Sequence, residues 1–201
     1  MTKREILDLI IADFYEDFAI TMRDRILLSN SIENHLSLTD DLIRYPTDKL
    51  NLDYEYLSQY NREDYKKAEF RSAYICEHLY LYDKNTFKGF LPKIPSLFPL
   101  IKNESTKRHF AKLTALILQN NEYNYSQEEL EIISSTSTEW IINDKVKIAV
   151  QIWAIEILIE CEPKVDWIKN VLEDILENIS YAPSAGMKVR LKRWAQYRSC
   201  R

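Results

Sequence analysis

The chain has 201 residues, of which 46% are hydrophobic and 29% are charged, and its formal net charge is −4. This is enough for one globular domain or a short array of repeats. Only two glycines occur, Gly89 and Gly186, which argues against glycine-rich phosphate loops and an α/β nucleotide fold. The charged start and the interrupted apolar runs predict a soluble, cytoplasmic protein with no membrane span, since a bilayer crossing needs about 20 apolar residues.

Apolar residues recur at helical spacing from the beginning of the chain. Thr2 is placed to cap a first helix, and the pattern continues after a break through Phe18 to Leu28. A further helix is predicted over 31–44, ending before Pro46, because proline disfavours helix for the residue ahead of it. The segment 46–61 is the least regular, and its tyrosines predict one short helix between Tyr54 and Tyr60.

From residue 62 onwards the pattern predicts three helical hairpins and a closing helix. The predicted pairs are 62–82 with 86–101, 105–119 with 126–142, and 144–161 with 165–179, followed by a last helix over 184–197. The connections between them are short, as is usual for antiparallel neighbours. Strand signals are essentially absent from the sequence.

Local signals refine these helices. Three prolines forbid an unbroken helix over 86–101 and predict a turn followed by a helix that starts near Pro92 or Pro95. Ser126, followed by two glutamates, is a good N-terminal cap. The helix over 144–161 is apolar on most sides, so we expect neighbours to cover it on both sides and Trp153 to fill core space.

A recurrence of 38 residues runs through the hairpins. It relates Ala73, Ala111 and Ala149, and in the same way Leu79, Ile117 and Ile155. Helical hairpins at a fixed period are typical of an α-solenoid. The predicted fold is therefore all-α, a right-handed α-α superhelix of about four to five hairpins. We expect a single domain over 1–201, in which 1–61 form an irregular N-terminal cap and 62–201 form the repeats with their capping helix.

From Phe70 to Trp194 the chain resembles HEAT-type and armadillo-like repeat proteins. Two segments are similar to a small bacterial family of HEAT-like proteins, F-R-S-A-Y-I-C-E-H-L at 70–79 and S-A-G-M-K-V-R at 184–190. The resemblance covers about the last two-thirds of the chain. Because stacked hairpins make an extended concave surface without a strained active site, we expect a non-catalytic scaffold that offers this surface to a protein or peptide partner. The bacterial alkylpurine DNA glycosylases resemble this architecture and imply nucleic-acid binding as an alternative.

Residues that could ligate a metal or take part in catalysis are scattered along the sequence. His35, His78 and His109 do not have the spacing of metal ligands, and adjacent Glu77 and His78 point about 100° apart on a helix. We expect Glu77 or His78 to satisfy a neighbouring helix end instead. No metal or cofactor is predicted, and a non-catalytic protein is favoured over a helical enzyme of nucleotide metabolism.

The cysteines support the same interpretation. Their number, three, is odd, and they form no CxxC pair, which favours a reducing compartment over a disulfide framework. Cys76 and Cys161 lie on apolar stripes, where a thiol is normally neutral and inert.

One polar stripe in the first repeat predicts a partner site. Lys67, Arg71, Tyr74 and His78 fall on one face of a helix. Arginine and tyrosine are enriched at protein interfaces. Arg71, Tyr74 and His78 are therefore predicted partner contacts, and the competing interpretation is a solvated outer face.

The C-terminal end is basic. Six of the 27 Lys and Arg residues follow Asn178 and no Asp or Glu does, so the first 177 positions hold 21 basic and 31 acidic residues, a formal −10. Lys188 and Arg190 are predicted as further partner contacts. In the alternative interpretation, Lys188 and Arg190 together with Lys192 and Arg193 bind the phosphates of a nucleic acid. The acidic body disfavours that alternative, and internal pairing with the acidic segment 162–177 is preferred.

Overall fold

The structure is a computed structural model that describes residues 1–12, 16–44, 57–179 and 184–199. These residues form ten α-helices and short 3-10 turns, with no strand among them. The helices are α1 Lys3–Ile11, α2 Phe18–Leu28, α3 Ile32–Arg44, α4 Arg62–Tyr82, α5 Ile94–Leu97, α6 Glu104–Gln119, α7 Gln127–Ile142, α8 Ile148–Cys161, α9 Ile168–Ile179 and α10 Ala185–Ser199. The all-α prediction is confirmed for this part of the chain. Most of the short helix predicted near Tyr54 lies outside the described residues.

The first of two compact units spans Met1–Phe110 and is organised around α4. This long helix contacts α1, α2 and α3. The side chain of Thr2 accepts a hydrogen bond from the backbone of Glu5 and completes a capping box at the start of α1, as predicted. Where described, the first 61 residues thus contain three helices at the predicted places, and these pack on α4. Their role as an N-terminal cap stays a prediction.

Prolines shape the segment between α4 and α6. The 3-10 helices Leu91–Lys93 and Phe98–Leu100 and the helix α5 each carry a proline at the first or second position. α5 begins beside Pro95 as predicted, but it ends after four residues. Pro99 lacks the N–H that a longer helix would need and its ring clashes with the preceding turn. The second arm of the first predicted hairpin is therefore a series of single turns.

The second unit spans Ala111–Arg201 and is organised around α8, which contacts α7, α9 and α10. α7 begins with the capping box predicted at Ser126, whose hydroxyl accepts from the backbone of Glu129. In α8, Glu156 is only 5% exposed, which agrees with the prediction that this helix is covered by its neighbours. α10 approaches α8 closely at Gly186, where an added Cβ would lie 2.6 Å from Ile152 Cδ1.

Of the two sets of residues related by the 38-residue recurrence, one is equally buried at all three positions and the other is not. Leu79, Ile117 and Ile155 are all completely buried. Ala73 and Ala111 are buried as well, but Ala149 is exposed because it lies in the first turn of α8. The solenoid arrangement stays a prediction. Within the described helices, no stretch combines the length and the apolar character that a bilayer crossing requires.

Candidate functional site

Arg71, a predicted partner contact, lies in the interior of the first unit. Its side chain projects from α4 and the residue is 8% exposed. Nη1 donates to the carbonyl oxygens of Ile10, Ile11 and Ala12 over 2.7, 3.2 and 2.7 Å. The last carbonyls of a helix have no partner within it and carry negative partial charge. Arg71 therefore caps α1, and its position gives no support to a role in partner binding.

The other two predicted contacts on α4, Tyr74 and His78, lie in a cluster of rings. Their ring centroids are 4.8 Å apart, edge to face, and Tyr74 also lies 4.9 Å from the ring of His109 on α6. Both residues are half-buried. His109 Nδ1 is 2.7 Å from Glu77 Oε2, and both side chains are less than a tenth exposed. Glu77 on α4 thus pairs with the imidazole of His109 on α6.

This ring cluster can hold an imidazole in a fixed orientation. A carboxylate bonded to one ring nitrogen selects the tautomer and orients the ring, while the adjacent ring of Tyr74, tilted by 31° to it, limits its movement. Within the described residues, no three His, Cys, Asp or Glu side chains are grouped closely enough to hold a metal ion. His109 and Glu77 are 32 positions apart in the chain and lie on different helices. No local signal in the sequence indicates that they pair.

The basic residues of α10 face carboxylates of α8. Arg190 Nε lies 3.0 Å from Glu156 Oε1. Arg193 donates from Nη1 to Glu156 Oε2 and from Nη2 to Glu160 Oε1. The expected internal pairing is therefore present for these two arginines, although their partners belong to α8 and precede the segment 162–177. Lys188 is exposed on the same helix.

Glu156 is a buried carboxylate shared by two guanidinium groups. Burial raises the pKa of this carboxyl, and the charges of Arg193 and Arg190 oppose that rise. Trp153, Glu156 and Glu160 stand at positions i, i+3 and i+7 of α8, so they share one face of this otherwise apolar helix. That face contacts α10. An acidic residue on the buried side of such a helix implies a cationic partner, and this was the available sequence signal for the pairing.

A cavity of about 270 Å³ opens beside these ion pairs, and we name it the C-terminal cavity. It is lined by Ala115, Leu116, Gln119, Trp153, Glu156, Val189, Arg190 and Arg193. The guanidinium of Arg190 lies 4.8 Å from the centroid of the Trp153 ring, and Lys112 Nζ lies 5.9 Å from that ring. Trp153 was expected to fill core space. It is instead half-buried, and it lines this cavity. Val189 is 60% exposed at the rim.

Two buried thiols behave as the sequence predicts. Burial raises the pKa of Cys76 to about 12 and that of Cys161 to about 11, so both are neutral and poor nucleophiles near pH 7. Cys76 Sγ lies 3.4 Å from Thr39 Oγ1 and 3.6 Å from His35 Nε2. Burial also lowers the pKa of His35 to about 4. These groups form a closed polar cluster in the core of the first unit.

The chain was also compared with known proteins. No protein-family model, no curated protein and no solved structure matches it. The resemblance to HEAT-like and armadillo-like proteins therefore stays a prediction drawn from the residues.

Proposed function

We propose that this protein is a non-catalytic interaction module of HEAT-like helical repeats that binds a protein or peptide partner through the C-terminal cavity. The observation that carries the proposal is that the half-buried Trp153 and the exposed Val189 line this cavity together with Arg190 and Arg193. Tryptophan and arginine are the residues most enriched among energetic hot spots of protein interfaces.

The ion pairs prepare this surface for binding. Arg193 donates hydrogen bonds to Glu156 and Glu160. Arg190 lies between Glu156 and the indole of Trp153, although its Nε has no hydrogen-bond partner among the described residues. Side chains that are already ordered lose less conformational entropy when a partner binds. The cavity volume of about 270 Å³ is below the roughly 300–1,000 Å³ of typical small-molecule sites. It suits one inserted side chain of a peptide.

The same pairs weaken the nucleic-acid alternative. Phosphate binding requires unneutralised Lys and Arg, whereas Arg190 and Arg193 already contact carboxylates. A nucleic acid would also meet the negative charge of Glu156 and Glu160 at this surface. Lys188 and Lys192 are exposed on α10 and are the residues on which the alternative depends.

The HEAT-like repeat arrangement is part of the proposal. It is supported by the buried register of Leu79, Ile117 and Ile155 and by the covered position of α8 among α7, α9 and α10. The exposure of Ala149 is the observation that fits it least.

The test is a selection of peptides from a random display library on the purified full chain. Binding of each selected peptide is then measured by fluorescence anisotropy for the wild type and for Val189→Glu. A matched control is Ile142→Glu, which places the same charge on another exposed apolar residue of the same unit, 69% exposed and outside the cavity lining. We expect Val189→Glu to weaken binding at least about tenfold and Ile142→Glu to leave it unchanged.

Two outcomes would overturn the proposal. One is a library that yields no peptide sensitive to Val189→Glu. The other is a gel shift of duplex DNA at low salt that is lost when Lys188 and Lys192 are changed to glutamate, which would favour the nucleic-acid alternative.

A further inference from the structure

A second cavity, of about 480 Å³, lies in the first unit and plays no part in the function proposed above. We name it the N-terminal cavity. Its lining comprises Glu33, Leu36 and Ser37 of α3, and Asn85, Thr86, Gly89, Phe90 and Lys93 of the segment after α4. Its volume falls within the roughly 300–1,000 Å³ that small-molecule sites occupy.

Asp83 fixes the wall that follows α4. Its Oδ1 accepts from the backbone N of Asn85 over 2.9 Å and from Asn85 Nδ2 over 3.1 Å. The hydroxyl of Thr86 donates to the carbonyl oxygen of Asp83 over 2.7 Å. These bonds use the hydroxyl proton of Thr86 and one of the two amide protons of Asn85, and both side-chain oxygens remain available as hydrogen-bond acceptors for a ligand.

Gly89 keeps the cavity open. It lies in the turn between the 3-10 helices Lys84–Phe87 and Leu91–Lys93. A Cβ added at this position would meet no atom within 4 Å, and the backbone there does not have a positive φ. A larger side chain can therefore be introduced at Gly89 without strain and would occupy the space itself.

The two charged residues of the cavity have opposite signs and belong to different segments. Glu33 stands in the first turn of α3, and Lys93 ends the second 3-10 helix. Neither forms an ion pair with another described residue, although Lys93 Nζ lies 6.0 Å from the Phe90 ring. The apolar part of the lining is Leu36 and Phe90, which are 7% and 1% exposed, whereas Glu33 and Lys93 are exposed. The cavity thus offers one carboxylate, one ammonium, several polar oxygens and a small apolar surface.

We propose that the N-terminal cavity binds a small zwitterion of the amino-acid type, a free amino acid or a dipeptide with an apolar side chain. The ligand's ammonium group pairs with Glu33 and with the oxygens of Ser37, Asn85 and Thr86. Its carboxylate pairs with Lys93, and its apolar side chain contacts Leu36 and Phe90. Because a zwitterion supplies both signs of charge, it contacts both residues at once, whereas a simple anion or cation pairs with only one of them.

The test is isothermal titration calorimetry of the full chain with the twenty free amino acids and with the dipeptides Leu-Leu and Phe-Leu. We expect at least one apolar member to bind with 1:1 stoichiometry. N-acetylation or C-terminal amidation of that ligand should weaken binding at least about tenfold, because each removes one charge. Glu33→Gln and Lys93→Met should each weaken binding by a similar factor.

Gly89→Leu is the blocking variant, and we expect it to abolish binding without lowering the melting temperature. Glu128→Gln, an exposed carboxylate in the second unit, is the matched control for Glu33→Gln and should leave binding unchanged. The proposal is overturned if no probe binds with a Kd below about 10 mM, or if binding survives Gly89→Leu. Peptide binding at the C-terminal cavity is measured separately and does not depend on either result.

Discussion

Arg71 Nη1 lies 2.7 Å from the carbonyl oxygen of Ile10, a residue 61 positions earlier in the chain. The same nitrogen also reaches the carbonyl of Ala12. One side chain therefore ties the end of α1 to the middle of α4. In a helix end of this kind the unpaired carbonyls need a donor, and here the donor is a buried cation.

Arg71→Met should destabilise the protein by about 3 kcal/mol, because it leaves several partly buried carbonyl oxygens without their donor. The measurement is the shift in the urea unfolding midpoint. The control is Lys67→Met, on the same helix, where the side chain is 52% exposed and the change should stay within about 0.5 kcal/mol. Equal effects of the two substitutions would show that Arg71 does not cap α1.

The ion pair between α8 and α10 should be measurable as a coupling energy. For the double-mutant cycle of Glu156→Gln and Arg193→Gln we expect a coupling of about 1–2 kcal/mol, reduced by the partial exposure of Arg193. In the control cycle Glu156→Gln is combined with Lys188→Gln, and its coupling should stay below about 0.5 kcal/mol. If the two cycles give the same coupling, Glu156 does not anchor α10.

His35 should make the first unit sensitive to acid. Burial lowers its pKa from 6.5 to about 4, so between these values the unfolded chain binds more protons than the folded one. Stability is therefore lost as the pH falls from 6.5 towards 4, by about 3 kcal/mol. The free energy of unfolding of the wild type and of His35→Gln is measured by urea titration at pH 7 and pH 4. The substitution should reduce the difference between the two pH values, and an unchanged difference would contradict the burial of a neutral His35.

Glu69 on α4 should act in the opposite direction. Burial raises its pKa from 4.5 to about 7. The folded state then holds the proton more tightly, and stability falls as the pH rises from 4.5 through 7. Glu69→Gln should match the wild type near pH 4.5 and exceed its stability by about 1–2 kcal/mol at pH 8. Glu128→Gln, at an exposed position, serves as the control, and a wild type as stable as Glu69→Gln at pH 8 would refute the effect.

The sequence predicted the helices well because their limits depend on near neighbours. The hydroxyls of Thr2 and Ser126 form capping boxes with residues three positions later, and Ser184 Oγ accepts from the backbone of Met187. The helix predicted over 105–119 differs from the observed α6 by one residue. Such signals are contained within a few positions of the chain.

The candidate sites could not be predicted in the same way because they depend on distant pairs. Helical spacing placed Arg71 and Tyr74 on one polar face. It could not show that Arg71 would be buried and would donate hydrogen bonds to the carbonyl groups at the end of α1. The contact between Arg190 and Trp153 joins α10 to α8. A basic helix and an acidic body indicated that charges would pair, and only the packing of the two helices selects Glu156 as the partner.

Nuclear magnetic resonance provides the most direct measurement of the proposed binding surface. The protein is labelled with ¹⁵N, a selected peptide is titrated in, and the tryptophan indole N–H signals are assigned by single substitutions. We expect the Trp153 signal to shift most and to saturate at the peptide's Kd, while the signal of the buried Trp140 stays in place. Saturating peptide that leaves the Trp153 indole signal unchanged would contradict binding at the C-terminal cavity.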